Sequence, residues 1–174
     1  MKDKRLLEKS PQAASAGWRS FMSFSPDKKT LVTVNQFADR LDIYHVENGK
    51  LVTTLGEEHQ EPRFQVHPDG YGVPLGGICH YDVQVTERYI YSIYDGRSFS
   101  ETMKQRERYQ GGKLFRIYTH DGKLVAGYQL DRYITGIYVD ENGKSWVKTG
   151  DVGFITEDGH IKFTSRIKRI IIIS

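Results

Sequence analysis

The sequence predicts a mainly β fold built from repeated antiparallel units of four strands. From Trp18 onward, apolar and polar residues alternate with a period of two, which is typical of strands that bury one face. Turn residues interrupt this alternation at short intervals. With 11 tyrosines and 17 glycines among 174 residues, the composition also favours strands joined by tight turns over a helical bundle.

The first predicted unit is a meander of four short strands. The segment SPDKK at 25–29 has the composition of a turn, and ENGK at 47–50 has that of a hairpin turn. The strands cover residues 21–24, 31–34, 41–46 and 51–55. Before this unit, residues 1–16 are expected to form a frayed tail with at most one helical turn near Leu6 and Leu7, because Pro11 interrupts a helix.

The second predicted unit repeats the plan of the first. Its strands cover residues 81–85, 89–94, 113–118 and 124–128. NGKLV at 48–52 aligns with DGKLV at 121–125, which is an offset of 73 residues, and Tyr44 matches Tyr118 under nearly the same offset. Repeated antiparallel units of this kind are typical of propeller blades. Two long loops, 57–77 and 95–112, are inserted in this repeat, and their length indicates a rim or binding role.

Several of these segments resemble a known family. They are SPDKK (25–29), DRLDIY (39–44), YIYSIYDG (89–96), KLFRIYTHDGK (113–123), YQLD (128–131) and IYVDE (137–141). Over residues 17–142 the chain is similar to the TolB-like six-bladed propeller proteins of Bacteroides-type bacteria. The resemblance implies a partial β-propeller with two blades and the first strand of a third. It also implies a family of generally uncharacterised function whose members are often exported.

The last part of the chain, residues 143–174, resembles a different family. After Trp146 come TGD (149–151), a predicted hairpin that turns at EDG (157–159), and RIK (166–168). This order and spacing are similar to the C-terminal hinge region of adenylate-forming enzymes, the acyl-CoA synthetase and luciferase superfamily. The chain has Ser165 where that family usually has Gly or Asp before the arginine. From the residues alone, 153–163 is interpreted as one more β-hairpin that can pair with the strand at 134–139.

The second resemblance implies three roles. Asp151 would bind the ribose hydroxyls of ATP, since an ionised carboxylate can accept two hydrogen bonds from a diol. Arg166 would approach the nucleotide, and Lys168 would be the hinge residue about which a following domain rotates. The sequence holds neither that family's pyrophosphate-binding loop nor the lysine-bearing domain that follows its hinge.

Three hypotheses of function follow. The first is a non-catalytic propeller-type binding or scaffold protein with no cofactor, whose unknown ligand or protein partner contacts the loops. The second is an inactive fragment of an adenylate-forming enzyme that binds ATP and Mg²⁺. A third possibility is a chimera of two unrelated segments that join at about 141–145. An incomplete propeller is also expected to self-associate through open sheet edges at 21–24 and 170–173.

Other candidate sites are weaker. His80 and Asp82 would share one face of a strand, where a hydrogen bond is the simpler interpretation than a metal. The glycines at 70–77 lack the Lys-Ser/Thr and the helix of a phosphate-binding loop. The tyrosine ladder at Tyr89, Tyr91 and Tyr94 indicates packing between blades.

Composition excludes further classes of protein. The net charge of +3 comes from intermixed signs, so the sequence predicts no nucleic-acid partner. Cys79 is the single cysteine, which excludes an internal disulfide and a cysteine-based zinc site. No stretch approaches the length of a membrane span, and the first residues lack the apolar run of a signal peptide.

Overall fold

The computed structural model describes residues 11–75, 77–105, 111–140, 145–147, 151–155 and 161–166. Within them lie two helices, α1 (Pro11–Gly17) and α2 (Phe99–Gln105), neither of which is long and apolar enough to cross a membrane. The strands are β1 (Ser20–Phe24), β2 (Thr30–Asn35), β3 (Arg40–His45), β4 (Lys50–Leu55), β5 (Phe64–Val66), β6 (Gly72–Pro74), β7 (His80–Val85), β8 (Ile90–Tyr94), β9 (Gly112–Tyr118), β10 (Leu124–Ile134), β11 (Ile137–Val139), β12 (Ser145–Val147), β13 (Asp151–Ile155) and β14 (Ile161–Arg166).

These strands form three four-stranded sheets and one small hairpin. Sheet I has the order β1-β2-β3-β4, sheet II the order β7-β8-β9-β10, and sheet III the order β11-β12-β13-β14. Strands β5 and β6 pair only with each other. Every pairing is antiparallel. The predicted mainly β class with four-stranded meanders is therefore confirmed.

Sheets I and II stack face to face, and the residues between them form the first of two cores. Val32, Val34, Leu41 and Ile43 of sheet I pack against Val83, Val85, Ile90 and Tyr118 of sheet II. The second core lies on the other face of sheet II and reaches β11 through Val139. Side chains along the strands of sheets I and II alternate between the two faces of the sheet, as the period of two in the sequence predicts, because successive residues of a strand point to opposite faces.

The first strands of the three sheets lie side by side and are linked by side chains. Ser23 Oγ on β1 accepts a hydrogen bond from Val85 N on β7, at 3.1 Å. The amide of Gln84 on β7 donates to Val139 O and accepts from Val139 N on β11, at 2.7 and 2.5 Å. Hydrogen bonds from side chains, rather than a continuous backbone ladder, join these neighbouring first strands. The three sheets are therefore adjacent but separate.

Residues 11–16 differ from the expected frayed tail, because they belong to helix α1. Pro11 is the first residue of the helix, where its missing N–H costs nothing, and the following QAAS contains good helix formers. Ala13 is fully buried against Gly72 of β6. The predicted turn at Leu6 and Leu7 lies outside the described residues.

The predicted hairpin at the end of the chain corresponds to β13 and β14, which pair with each other. It does not pair directly with β11, because residues 145–147 form the intervening strand β12. Sheet III thus continues across residue 142, and the division into segments 17–142 and 143–174 stays a prediction.

Candidate functional site

The long connections of this fold collect at one end of the sheets. Neighbouring antiparallel strands reverse direction, so alternate connections of a meander lie at the same end. The β2–β3, β4–β7 and β8–β9 connections therefore share one end, which we call the loop end (the described residues within 36–39, 56–79 and 95–111, with α1 before β1). The β1–β2, β3–β4, β7–β8 and β9–β10 connections share the other, the turn end, and each of these is short.

Backbone hydrogen bonds hold the three connections of the loop end together. Asp39 N donates to His59 O at 2.7 Å, which ties the first connection to the second. Cys79 N donates to Gln36 O at 2.7 Å, and Asp95 N donates to Cys79 O at 2.8 Å. Because buried backbone groups need such partners, the loops converge on one compact base.

An ion pair between sheets I and II lies in this base. Arg116 Nη1 on β9 donates to both carboxylate oxygens of Asp39, at 2.8 and 2.9 Å. The guanidinium also stacks on Tyr94, with its Cζ 3.6 Å from the ring centroid. Asp39 is only 6% exposed. Charge-assisted pairs of this kind are stronger than neutral hydrogen bonds, so the ion pair fixes the 36–39 connection to sheet II.

His80 completes the cluster and is fully buried. Its Nδ1 lies 2.7 Å from Ser92 Oγ. Its Nε2 lies 3.4 Å from Asp39 Oδ1, which is long for a hydrogen bond. An ionised carboxylate can only accept a hydrogen bond, so we assign the ring proton of His80 to Nε2, which faces Asp39. Nδ1 is then an acceptor, and the Ser92 hydroxyl donates its hydrogen bond to it.

Burial and neighbouring charges together set the protonation states of this cluster. Burial lowers the pKa of His80, and the nearby Asp39 carboxylate only partly opposes it. Burial would raise the pKa of Asp39, but His80 and Arg116 outweigh that effect and lower it. Burial also raises the pKa of the Cys79 thiol to about 12. The base of the loop end therefore contains an ionised Asp39, a neutral His80 and a protonated Cys79 near neutral pH.

A second ion pair anchors the 95–111 connection. Arg97 Nε lies 2.8 Å from both oxygens of Asp95, and Arg97 Nη2 donates to Gly111 O at 3.0 Å. The Arg97 guanidinium is 4.2 Å from the ring centroid of Tyr133 on β10. This arrangement closes the loop that carries α2 onto sheet II.

The β5–β6 hairpin presents an apolar surface at the loop end. Its backbone is fixed by a turn in which Tyr71 N donates to Asp69 Oδ1 at 3.1 Å, and Gly70 has a φ of 88° that favours glycine. One side of the hairpin packs on α1 through Gly72. Four large apolar side chains remain exposed, Val66 (38%), Tyr71 (67%), Val73 (39%) and Leu75 (55%). We call these four residues the hairpin surface.

The structure corrects one predicted site geometry. His80 and Asp82 do not share a face, because the β7–β8 register shifts between them. His80 pairs with Tyr94 and points towards Asp39, whereas Asp82 Oδ2 accepts from Ile137 N of β11 at 2.9 Å. The predicted hydrogen bond for His80 is confirmed, but its partner is Ser92.

The other predicted residues are placed as follows. Tyr91 and Tyr94 are buried between sheets, as the packing interpretation predicts, and Tyr89 is at the margin with 36% exposed. Asp151 and Arg166 are backbone partners in the β13–β14 register. Lys168 lies outside the described residues. Among the residues described, no group of three or more His, Cys, Asp and Glu side chains is arranged to hold a metal.

Asp39 and Arg116 were not predicted as site residues, although they form an ion pair at the base of the loop end. They are 77 residues apart, and each lies in a segment that looks like an ordinary strand or turn. The one available signal is that Arg116 stands in a strand whose alternate residues are apolar. A charge at such a position must find a buried partner.

Comparison with known proteins gives a family match and a set of similar folds. The sequence profile of the family described as TolB-like 6-blade propeller-like matches residues 4–142. Among solved structures, the Dos1 propeller is similar with 11% identity and a TM-score of 0.48 over 84% of this chain. A candidate 6-phosphogluconolactonase from Bacteroides fragilis has 12% identity and a TM-score of 0.48, also over 84% of this chain. The chain spans 33% and 38% of the length of these two proteins.

Proposed function

Because the chain belongs to the TolB-like six-bladed propeller family, we propose that it is a non-catalytic binding protein whose ligand contacts the loop end. The ligand that fits best is an apolar segment of another protein or peptide. The observation that carries this proposal is the hairpin surface, where four large apolar side chains are exposed on one short, well-anchored element.

Three of the four exposed apolar residues, Tyr71, Val73 and Leu75, follow one face of the hairpin and can contact one partner. Gln65 and Val73 are register partners, so Tyr71, Val73 and Leu75 alternate onto one face of the hairpin, whereas Val66 pairs with Gly72 and lies on the other face. Clustered exposed apolar side chains favour protein contacts, whereas single ones are common on any surface. Tyr71 is the most exposed of the four and has the aromatic character that is enriched at the centres of interfaces.

The anchoring of the loops supports a binding role for a second reason. The two ion pairs, Asp39 with Arg116 and Asp95 with Arg97, hold connections that would otherwise be free to move. A loop that is fixed before it meets its ligand loses less conformational entropy on binding. The charged cluster thus acts beneath the surface, as support for the exposed residues.

The same cluster argues against a hydrolytic function. Ser92, His80 and Asp39 stand in a line, with residue types that can act together in nucleophilic catalysis. Both Ser92 and His80 are fully buried, however, and a nucleophile must reach its substrate. We interpret this line of residues as a structural link between sheets I and II.

The experiment selects peptide ligands from a displayed library against the immobilised chain and measures their affinity for variants. We expect Tyr71→Ser and Leu75→Ser to weaken binding about 30-fold or more, the scale of an interface hot spot. Leu124→Ser is the matched control, because Leu124 is exposed to a similar degree (51% against 55% for Leu75) and lies at the turn end. Equal affinity of all three variants would place the ligand elsewhere.

The alternative of a nucleotide site at Asp151 and Arg166 rests on the resemblance of 143–174 to adenylate-forming enzymes. The pairing of these two residues in one register is compatible with it. Contacts to ribose alone, without groups that hold the triphosphate, do not offset the entropy of immobilising a nucleotide. We therefore keep ATP with Mg²⁺ as the ligand to be tested second.

A further inference from the structure

The outer edge of sheet I is formed by strand β4. Among the described strands, β3 alone pairs with β4, so the side of β4 that faces away from β3 carries no ladder. The edge of β1, which the sequence predicted to be open, lies beside β7 instead, and Ser23 Oγ there accepts a hydrogen bond from Val85 N. The open edge of sheet I is therefore that of β4.

The backbone groups at this edge belong to alternate residues. Gly56 N donates to Asp39 O at 2.8 Å, so this pair occupies a hydrogen-bonded position of the β3–β4 ladder. Bonded and non-bonded positions alternate in an antiparallel pair, and the register of β3 with β4 has no shift. The even-numbered residues of β4 therefore bond to β3. The N–H and C=O groups of Leu51, Thr53 and Leu55 point away from the sheet.

The side chains of the same three residues share the outer face of sheet I. Val52 and Thr54 face the other way, since Val52 packs on the first core and Thr54 Oγ1 donates to the β9–β10 turn at 2.7 Å. Successive side chains of a strand alternate between faces. Leu51 is 47% exposed and Leu55 is 44% exposed, with Thr53 midway between them. The edge thus reads Leu, Thr, Leu in either direction along the strand.

The corresponding edge of sheet II is protected against pairing. Strand β10 has the place in sheet II that β4 has in sheet I, but its register with β9 shifts after Leu124 and again after Gln129. Asp131 and Arg132 add exposed charges within the second interruption. Bulges and charges keep an edge strand from pairing with another chain. β4 has no bulge, and its one charged residue is Lys50 at its first position.

We propose that this edge pairs with β4 of a second copy of the chain, antiparallel and related by a twofold axis that passes through Thr53. A twofold axis brings the same edge against itself. Leu51 then lies opposite Leu55 of the partner subunit, and Thr53 opposite Thr53 of the partner subunit. Backbone groups of all these residues point outwards, so each pair exchanges hydrogen bonds. A shift of two residues would instead place Leu55 opposite Gly49 of the partner subunit and lose the contact between leucines.

The proposed register buries apolar surface and no uncompensated charge. Cross-strand threonine pairs stabilise a sheet, and the half-exposed leucines on either side lose contact with water. Arg40, which is the β3 neighbour of Leu55, already donates to both oxygens of Asp42 at 2.7 and 2.9 Å. Sheets I and II stack through their faces, whereas β4 offers an edge, so the two contacts are compatible. The loop ends of the two copies then point in opposite directions.

The contact is small, so the dimer should be weak. One strand pair buries less area than a standard interface, and we expect a dissociation constant on the order of 10 to 100 μM. Sedimentation velocity of the full chain, from about 5 to about 500 μM, covers that range. The mean mass should rise with concentration from 20.0 kDa towards twice that value. A wild-type chain that stays monomeric over the whole range would overturn the proposal.

A proline at the edge tests the backbone contact. Leu55→Pro removes an N–H that points away from β3, so the β3–β4 ladder keeps its hydrogen bonds. The same N–H is a donor in the proposed pairing with Leu51 of the partner subunit. Leu55→Pro should therefore raise the dissociation constant about ten-fold or more. Association that is unchanged in this variant, with a native circular dichroism spectrum, would rule out pairing through β4.

Gln129→Pro is the matched control in sheet II. Thr119 N donates to Lys123 O, so the odd-numbered residues of β9 bond to β10. Gln129 lies opposite Leu114, and its N–H therefore points outwards, as that of Leu55 does. Gln129 is also exposed. This variant should dimerise like the wild type, and equal weakening in both proline variants would contradict the proposal.

A pair of opposite charges tests the register itself. Leu51→Lys and Leu55→Glu should each weaken the dimer, because each places a charge against a leucine of the partner subunit. In the double variant the introduced lysine faces the introduced glutamate of the other copy, whereas the two are too far apart along one strand to pair. The double variant should dimerise about five-fold more tightly than either single variant. If it dimerises no better than they do, the register and the proposal with it are wrong.

Discussion

Arg116 Nη1 lies 2.8 and 2.9 Å from the two carboxylate oxygens of Asp39, although the two residues are 77 positions apart, Asp39 in the β2–β3 connection of sheet I and Arg116 on β9 of sheet II. The guanidinium is held on its other side by the ring of Tyr94. One contact thus connects a short turn of sheet I with the middle of sheet II. The loop end depends on it for its position.

Removal of the Asp39 carboxylate should destabilise the fold markedly. Asp39→Ala leaves Arg116 without its partner, and breaking a buried pair in this way costs about 3 to 5 kcal/mol. The Arg116 side chain is 20% exposed, so water can reach it and the cost should lie near the lower limit. Urea denaturation of Asp39→Ala, Arg116→Met and the double variant gives the coupling free energy. A coupling free energy near zero would show that the ion pair orients the loops without adding to the stability of the fold.

Stability should fall as the pH drops below 6.5, and His80 should be the reason. Burial lowers the pKa of His80 from 6.5 in the folded chain. Just below pH 6.5, the unfolded chain therefore binds a proton at this residue and the folded chain does not. The free energy of unfolding then decreases by up to about 1.4 kcal/mol per pH unit until the folded pKa is reached. Asp39 has a pKa lowered from 3.8, so its contribution is lost only in more acidic solution.

The measurement compares urea denaturation at several pH values between 7.5 and 5 for the wild type and His80→Gln. We expect the pH dependence to become shallower in His80→Gln. His67→Gln, which changes an exposed histidine on the β5–β6 connection, is the matched control. An unchanged slope in His80→Gln would assign the effect to another group.

Cys79 should resist alkylation in the folded protein. Its side chain is fully buried and burial raises its pKa to about 12, whereas the reactive species is the thiolate. Iodoacetamide at pH 8 should modify it only as fast as the loop end opens, and rapidly in urea. Mass spectrometry of time points reads the extent. Fast modification without denaturant would mean that the 77–79 segment opens readily.

A side chain at Gly72 should displace helix α1. A Cβ built at Gly72 would lie 2.8 Å from the Cα of Ala13, closer than such atoms approach. Gly72→Val should therefore cost about 1 to 3 kcal/mol, the range for overpacking. Limited proteolysis should detect faster cleavage near residues 11–17. Gly127→Val is the control, since nothing lies within 4 Å of a Cβ at that position.

The chain should not bind ATP with Mg²⁺ in calorimetry. If Asp151 bound the ribose, Asp151→Ala would cost about 1.5 to 3 kcal/mol, the scale of hydrogen bonds to a charged group. We expect no heat of binding for either protein. Tight binding by the wild type that disappears in Asp151→Ala would favour the adenylate-forming alternative over a binding role for the loop end.

The strands and turns of sheets I and II could be predicted because their information is local. Alternation fixes which residues face a core, and segments such as ENGK at 47–50 fix where the chain reverses. The offset of 73 residues between Gly49 and Gly122 also predicted the equivalence of Tyr44 and Tyr118. Helix α1 was missed because Pro11 was interpreted as an interruption, whereas it begins the helix.

The candidate site could not be predicted in the same way. The contact between Asp39 and Arg116 depends on how two sheets stack, and no spacing in the sequence encodes that distance. His80 and Asp82 show the limit at shorter range, because one register shift in β7 sends their side chains to opposite faces. The apolar hairpin within 57–77 was predicted only as a long loop.

The turn end offers a practical handle on the molecule. At the β3–β4 turn, Gly49 has a φ of 66° and a Cβ there would meet no atom within 4 Å. A short peptide tag inserted after Asn48 would project into solvent on the side opposite the β5–β6 hairpin. Attachment to a sensor surface by that tag would orient every molecule alike. Binding kinetics could then be recorded with the long connections facing the flow, free of the scatter that random coupling through lysines introduces.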